Sequence, residues 1–217
     1  MKPDKEYTGR ATIRMYNCDC MDLMQSGKTW DLAIVDPPYG IGNWIPNNIS
    51  KTGKKASERV DWNESIPESS YFNQLNSVSG KNIIWGANYY NCFLNGGGVV
   101  WFKGFGNPKF SHCEIASLSF QKKVDYVHID WQSGFFRVIK EGEQIHQCQK
   151  PVKLYKWLLK NYAKPGDTIL DTHGGSLSIA IACWDLGFDL DVCELDKDYF
   201  DAAVKRFENH IAQQALF

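Results

Sequence analysis

Leu32-Ala33-Ile34-Val35-Asp36-Pro37-Pro38-Tyr39-Gly40 runs four apolar residues straight into a carboxylate, two prolines, an aromatic ring and a glycine. Residues 31–35 read as a short strand, and the polar residues after it as a turn. Upstream, residues 12–16 form another strand, and Cys18-Asp19-Cys20-Met21-Asp22 a turn into a short helix. Downstream, residues 41–66 are a polar stretch longer than a routine connection, which marks it as functional or partly disordered. Pro67 and Glu68 open a helix with Tyr71, Phe72, Leu75 and Val78 at helical spacing, closed by Gly80. Strands follow at 82–86 and, after the Gly96-Gly97-Gly98 turn, at 99–103. Residues 114–120 and 124–131 are also strand-like. The short link Gln121-Lys122-Lys123 predicts that they pair antiparallel at a sheet edge.

Pro151 starts a helix whose apolar face is Val152, Leu154, Tyr155, Leu158, Leu159 and Tyr162, stopped by Lys164-Pro165-Gly166. A strand at 167–171, a helix at 176–186, a strand at 188–193 and a helix at 198–209 complete the chain. Strands alternating with helices predict an α/β fold with a mostly parallel sheet covered on both faces.

The 217 residues suit one domain, and 43% hydrophobic with 23% charged residues is ordinary globular composition rather than that of a disordered chain. Net charge is −1, so nucleic-acid contact must come from local clustering, not from a global positive field. Seven cysteines without paired spacing and no apolar leader behind Met1 predict a reducing cytoplasm, mostly buried thiols and no metal. No run approaches the roughly 20 apolar residues of a membrane span.

The turn after Val35 suits one difficult task, making the exocyclic amine of a nucleobase nucleophilic. Asp36 could accept one amine hydrogen bond and the Pro37 carbonyl a second, with the prolines holding that carbonyl in place and Tyr39 stacking on the base. The same residues are also those of an ordinary turn. A parallel sheet gathers ligands at the carboxyl ends of its strands, near a topological switch point. Three other strand ends carry suitable groups. Asp171-Thr172-His173-Gly174-Gly175-Ser176 joins a strand to a helix through paired glycines that let backbone approach a ligand. Glu194 ends the next strand, where an acid could bind ribose hydroxyls, and Asp19 could accept from an adenine amine. A helix cap, a turn and surface acids are the bland alternatives. Gly-x-Gly-x-x-Gly is absent, which disfavours a nicotinamide cofactor.

In that order the segments resemble the amino-group DNA methyltransferases that use S-adenosylmethionine, in the permuted β-type arrangement where the catalytic motif precedes the cofactor motif. Asp36-Pro37-Pro38-Tyr39 matches the family's catalytic motif in its adenine form. His146-Gln147-Cys148-Gln149-Lys150-Pro151-Val152 resembles the His-Pro-Thr-Gln-Lys-Pro-Val segment beside the cofactor. Asp171 to Ser178 resembles the Asp-Pro-Phe-x-Gly-Ser-Gly-Thr loop, Cys193 to Tyr199 the acidic segment after it, and Asn17-Cys18-Asp19-Cys20 the Gly-Asp-Cys before the catalytic strand. The resemblance implies a Rossmann-like methyltransferase fold with a seven-stranded, mostly parallel sheet and an antiparallel edge strand. It implies catalytic residues Asp36, Pro37, Pro38 and Tyr39. It also implies a cofactor pocket of Asp19, Cys20, Asp36, His146, Lys150, Asp171, His173, Gly174, Gly175, Ser176 and Glu194. Within a single domain of 1–217, about 11–131 would be the catalytic half, about 132–147 a linking or recognition segment, and about 148–210 the cofactor half. Two positions depart from the pattern. His173 stands where Phe is usual and is expected to pack on the cofactor as Phe would. Leu177 stands in place of the loop's second glycine and would hold the backbone off the methionine part.

The implied reaction is methyl transfer to adenine N6 in double-stranded DNA, with the base flipped at a cost of a few kcal/mol. Residues 41–66 carry Lys51, Lys54, Lys55 and Arg59 with Trp44 and Trp62, a candidate phosphate or base contact, or simply a solvated loop. Residues 132–145, with Phe135, Phe136 and Arg137, are too short for a recognition domain, so recognition would be shared with 41–66 or with the second subunit of a homodimer. Two competing readings are a DNA-binding relative with a degenerate cofactor loop and an enzyme acting on cytosine N4, for which Ser in place of Asp36 is usual.

Overall fold

The computed structural model describes residues 1–42, 63–91, 94–104, 111–131, 145–146 and 148–214. Nine strands form one mixed sheet: β1 (Lys5–Thr8), β2 (Thr12–Tyr16), β3 (Trp30–Val35), β4 (Ser79–Trp85), β5 (Gly97–Phe102), β6 (Cys113–Leu118), β7 (Val124–His128), β8 (Ile169–Asp171) and β9 (Leu190–Cys193). Their spatial order is β1-β2-β9-β8-β3-β4-β6-β5-β7. The run from β2 to β4 is parallel throughout, as is β5 with β7, whereas β1–β2, β4–β6 and β5–β6 are antiparallel. The helices are α1 (Cys20–Met24), α2 (Ser69–Val78), α3 (Ala87–Tyr90), α4 (Val152–Tyr162), α5 (Ser178–Leu186) and α6 (Lys197–Gln214).

The centre of the sheet is buried on both faces because its strands carry consecutive apolar residues, Leu32 to Val35 in β3 and Ile83 to Trp85 in β4, rather than one at every second position. Leu32 and Ile34 of β3 enter one core with Ile83, Trp85 and the apolar faces of α4, α5 and α6. Ala33 and Val35 point the other way, into a second core with Ile84, Leu170 and residues of α1 and α2. Pro151 caps α4 in extended conformation, and all six residues of its expected apolar face are buried. In α5 every residue from Ser178 to Cys183 is buried, since that helix lies between α4, α6 and the sheet.

Three expectations are revised. The sheet has nine strands against seven, in part because β1, which pairs with β2 in a terminal hairpin, is nearly all exposed and so has no apolar face to announce it. Strands β6 and β7 do not pair: β5 lies between them, antiparallel to β6 and parallel to β7. The link between β6 and β7 crosses the start of β5 at Gly97, where a Cβ would sit 2.0 Å from the Gln121 carbonyl oxygen. Only a glycine lets the two backbones touch there, and Gly97 and Gly98 accordingly belong to β5 rather than to a turn. Among the six described cysteines, Cys183 and Cys193 are buried, Cys18 and Cys20 are half-buried, and Cys113 and Cys148 are exposed, so burial is not the rule. No described helix is long and apolar enough to cross a membrane.

Candidate active site

The carboxyl ends of β2, β9, β8, β3 and β4 lie side by side. The chain leaves β3 toward β4 on one side and β8 toward β9 on the other, so the switch point falls between Asp36 and Asp171. Asp36 follows β3 with its side chain 17% exposed. The turn beyond it is tied by Asn63, a buried side chain that accepts from the Tyr39 N–H at 2.7 Å and donates to the Gly42 carbonyl at 2.7 Å. The Tyr39 hydroxyl donates to Asp36 Oδ1 at 2.5 Å. Its ring stacks on Tyr89 with centroids 4.8 Å apart and planes 15° from parallel. Gly86 makes room for that ring, since a Cβ there would lie 2.3 Å from it. Tyr90 donates its hydroxyl to the Pro37 carbonyl at 2.5 Å and to the Pro38 carbonyl at 3.0 Å. One lone pair of the carbonyl expected to hold an amine is therefore already in use, and a second remains in its inventory.

Lys150 enters this half of the site rather than the cofactor half. Only 4% exposed, it donates to Asp36 Oδ2 and to the Tyr39 hydroxyl at 3.2 Å, and it pairs with Glu114 Oε2 at 3.2 Å. Glu114 in turn takes Lys103 at 2.9 Å on Oε1. The pairing of Trp101 with Glu114 brings Lys103, at the end of β5, and Glu114, at the start of antiparallel β6, to the same edge of the sheet as Asp36. Burial pushes the Asp36 carboxyl up against the opposing charge of Lys150. For Glu114 burial also pushes up, but Lys150 and Lys103 together outweigh it and bring the group down to about 2. Burial would neutralise Lys150, yet Asp36 and Glu114 hold its ammonium firmly charged.

In the other half, Asp171 is 1% exposed; its Oδ1 accepts from the His173 N–H at 3.0 Å, while Oδ2 has no hydrogen-bond partner. Burial raises this carboxyl to about 8. Thr172 links Tyr71 at 2.7 Å to His173 Nδ1 at 2.9 Å, and burial lowers His173 to about 4. Gly174 is demanded by packing: a Cβ would meet Val192 at 2.7 Å. Gly175, at φ +50°, donates its N–H to Glu194 Oε2 at 2.8 Å, and the His146 ring lies 3.5 Å from where its Cβ would be. Glu194 Oε1 accepts from the Asp196 N–H at 2.9 Å, and Asn17 binds the Glu194 carbonyl at 2.8 Å, joining the ends of β2 and β9. Ser176 is buried, and its hydroxyl meets Ser178 at 3.1 Å. Asp19 is exposed and caps α1 by accepting from the Met21 N–H at 2.8 Å, with half-buried Cys20 following it. Leu177 takes the left-handed conformation of the glycine it replaces, at φ 54° and ψ 30°, with its side chain 1% exposed in the core. The side chain is therefore packed in the core and not laid over the loop's surface.

The expected residues thus form two adjoining clusters across the switch point, one around Asp36 and one around Asp171 and Glu194. Lys51, Lys54, Lys55 and Arg59 lie outside the described residues, as do Trp44, Trp62 and 132–144. Sequence reading missed Glu114, Lys103, Tyr89 and Tyr90. The tyrosines stood as a pair just beyond a strand end, which was a usable signal, whereas Lys103 and Glu114 meet only through cross-strand register. A surface depression of about 430 Å³ lined by Arg14, Lys28, Trp30 and Asp191 lies away from this site, around the amino ends of β3 and β8.

A sheet of this kind is found in two solved DNA methyltransferases. The M1.HpyAVI–SAM complex superposes with a TM-score of 0.59 at 19% identity, covering 89% of this chain and 99% of that one. PvuII DNA methyltransferase, which is cytosine-N4-specific, gives 0.59 at 14% identity over 92% and 90% of the two chains. Residues 131–205 match the family model described as DNA methylase. The resemblance read from the motifs is met by that family model over 131–205 and by a fold shared with these two DNA methyltransferases.

Proposed function

We propose that the protein methylates the N6 amine of adenine in double-stranded DNA, using S-adenosylmethionine, within one domain whose catalytic half is about 11–131 and cofactor half about 148–210. The observation that carries this reading is the placement of Asp36-Pro37-Pro38-Tyr39 beside Asp171 across the switch point. The residues present fit the cofactor. The unpartnered, buried Asp171 Oδ2 is an acceptor open to a cation, Glu194 keeps lone pairs for hydroxyls, and Leu177 keeps its side chain in the core. When bound, S-adenosylmethionine supplies an electrophilic methyl on a sulfonium and leaves as a neutral thioether.

The protein's own work is on the base. Asp36 as a carboxylate accepts from the amine, and the free lone pair of the Pro37 carbonyl takes the second amine hydrogen. Together they draw the nitrogen lone pair out of conjugation with the ring. The nitrogen sheds its proton once the methyl is attached, so Asp36 orients and stabilises charge rather than acting as a strong base. Tyr39 holds Asp36 by its hydroxyl, and the ring face turned away from Tyr89 is the one offered to a flipped base.

Adenine is favoured over cytosine by Asp at position 36. The N4 reading has one specific support, the fold shared with PvuII methyltransferase. Mass spectrometry of nucleosides from DNA of cells expressing the protein decides between them: N6-methyladenine is expected, and N4-methylcytosine would reverse the choice. Asp36→Ala should abolish the product while calorimetric binding of S-adenosylmethionine persists.

A further inference from the structure

We propose that Lys150 is a positioning residue for methyl transfer, clamped between Asp36 and Glu114 so that Asp36 meets the base as an ionised acceptor, and is not a ligand of the cofactor. The inference rests on the reading of Asp36 as the amine-binding carboxylate.

Its first support is the ammonium's own inventory. Lys150 donates to Asp36 Oδ2 and to the Tyr39 hydroxyl, and Glu114 Oε2 faces it as an ion-pair partner at 3.2 Å. The Trp85 ring lies beside it, with its centroid 5.4 Å from the ammonium. Among the described residues, every polar contact of the ammonium lies in the Asp36 half of the site and none in the half around Asp171 and Glu194. The second support is the order of charges. Lys103, Glu114, Lys150 and Asp36 form a chain alternating positive and negative, two of each, whose sum is zero in a largely buried setting. Removing any one member leaves an unbalanced charge among the others.

The third support is what the chemistry requires. An ionised carboxylate accepts an amine hydrogen on either oxygen and more strongly than the protonated group, which turns one oxygen into a donor. Burial favours protonation of Asp36. Facing it are Lys150 ahead of α4, Tyr155 of α4, Glu114 of β6, Tyr90 of α3, Asp171 of β8 and Tyr39 in its own turn. Lys150 is the cation in contact with it. Glu114 repels the Asp36 charge, yet holds the Lys150 ammonium in place. The two neighbours therefore push the Asp36 equilibrium in opposite directions, Lys150 toward the ionised form and Glu114 away from it.

The test is a carbon-detected NMR titration of Asp36 in the full chain without DNA or cofactor, its resonance assigned by loss in Asp36→Asn. Lys150→Met should raise the Asp36 midpoint by about one pH unit or more, a tenfold change in proton affinity, and Lys150→Arg should restore most of it. Glu114→Gln should move the midpoint the other way, and this variant decides the matter if Lys150→Met does not fold. Midpoints unmoved by both substitutions, or moved in the same direction, overturn the proposal. So does a loss of S-adenosylmethionine affinity greater than about tenfold in Lys150→Arg, which would make Lys150 a cofactor ligand. Because the titration needs no methyl transfer, an absence of methylated base in cellular DNA would defeat the functional reading and leave this coupling standing.

Discussion

The Tyr90 hydroxyl does for the Pro37 carbonyl what the Tyr39 hydroxyl does for Asp36: it fixes the direction of an acceptor before any substrate arrives. Pro37 has no N–H and a restricted φ, so its carbonyl is held from the backbone side, and Tyr90 holds it from the oxygen side at 2.5 Å. Burial raises the Tyr90 hydroxyl far above its ordinary range, so it stays a donor at any working pH. Tyr90→Phe removes the one O–H that the Pro37 and Pro38 carbonyls share, and little volume. The carbonyl then has greater freedom, and the loss of a bond of about 1 kcal/mol should lower kcat by roughly fivefold to tenfold. Single-turnover methylation with saturating S-adenosylmethionine measures this. An unchanged rate would show that the prolines alone orient the carbonyl.

At the scale of elements, the turn from β8 into α5 holds the most unusual backbone of the site. A left-handed leucine costs about 1–2 kcal/mol, and Leu177 is retained because its side chain fills the core between α5 and the sheet. Removing that side chain should cost more than the strain it relieves. Leu177→Ala keeps the unfavourable φ and loses the packing, for a destabilisation of about 3–5 kcal/mol. Leu177→Gly loses the same packing but accepts the φ, so it should be less damaging than alanine by about 1 kcal/mol, the reverse of the usual helix ranking. Urea unfolding of the two variants gives the order directly. The strand and helix alternation was legible because apolar periodicity is local, as the fully buried face of α4 illustrates. The place of β5 was not, because it depends on two backbones crossing at Gly97, a contact between residues 24 apart in sequence. The same limit hid half of the catalytic cluster. Asp36 declared itself by its neighbours in sequence, whereas Glu114 and Lys103 declare themselves only once β5 and β6 are in register.

Over the whole molecule, groups buried at the two halves of the site set opposing pH dependences of stability. His146 and His173 are held neutral by burial, both brought from 6.5 to about 4. The unfolded chain binds protons at these histidines that the folded chain refuses, so stability falls as pH drops from 6.5 toward 4. Glu114, down to about 2, adds to that loss below 4.5. Asp171 acts with the other sign. Its folded value of about 8 lies above the unfolded 3.8, so the folded chain holds a proton that the unfolded chain has released, and stability falls as pH rises from 3.8 until it levels above 8. Asp36 and Glu194, also raised by burial, act in the same direction as Asp171. The histidines, half-titrated near pH 6.5 in the unfolded chain, oppose Asp171 and the other raised carboxyls, which predicts a stability maximum at or below about pH 6.5 for the cofactor-free protein. Between pH 6.5 and 8 the Asp171 contribution should fall by about 2 kcal/mol. Asp171→Asn, which cannot ionise, should flatten most of that alkaline limb while leaving the acid limb unchanged. Saturating S-adenosylmethionine should flatten it in the wild-type protein, if its cation meets the free Oδ2 and keeps Asp171 ionised. Urea unfolding at a series of pH values measures both limbs. A wild-type stability that rises from pH 6.5 to 8 would show that Asp171 is ionised in the free protein and finds its partner elsewhere.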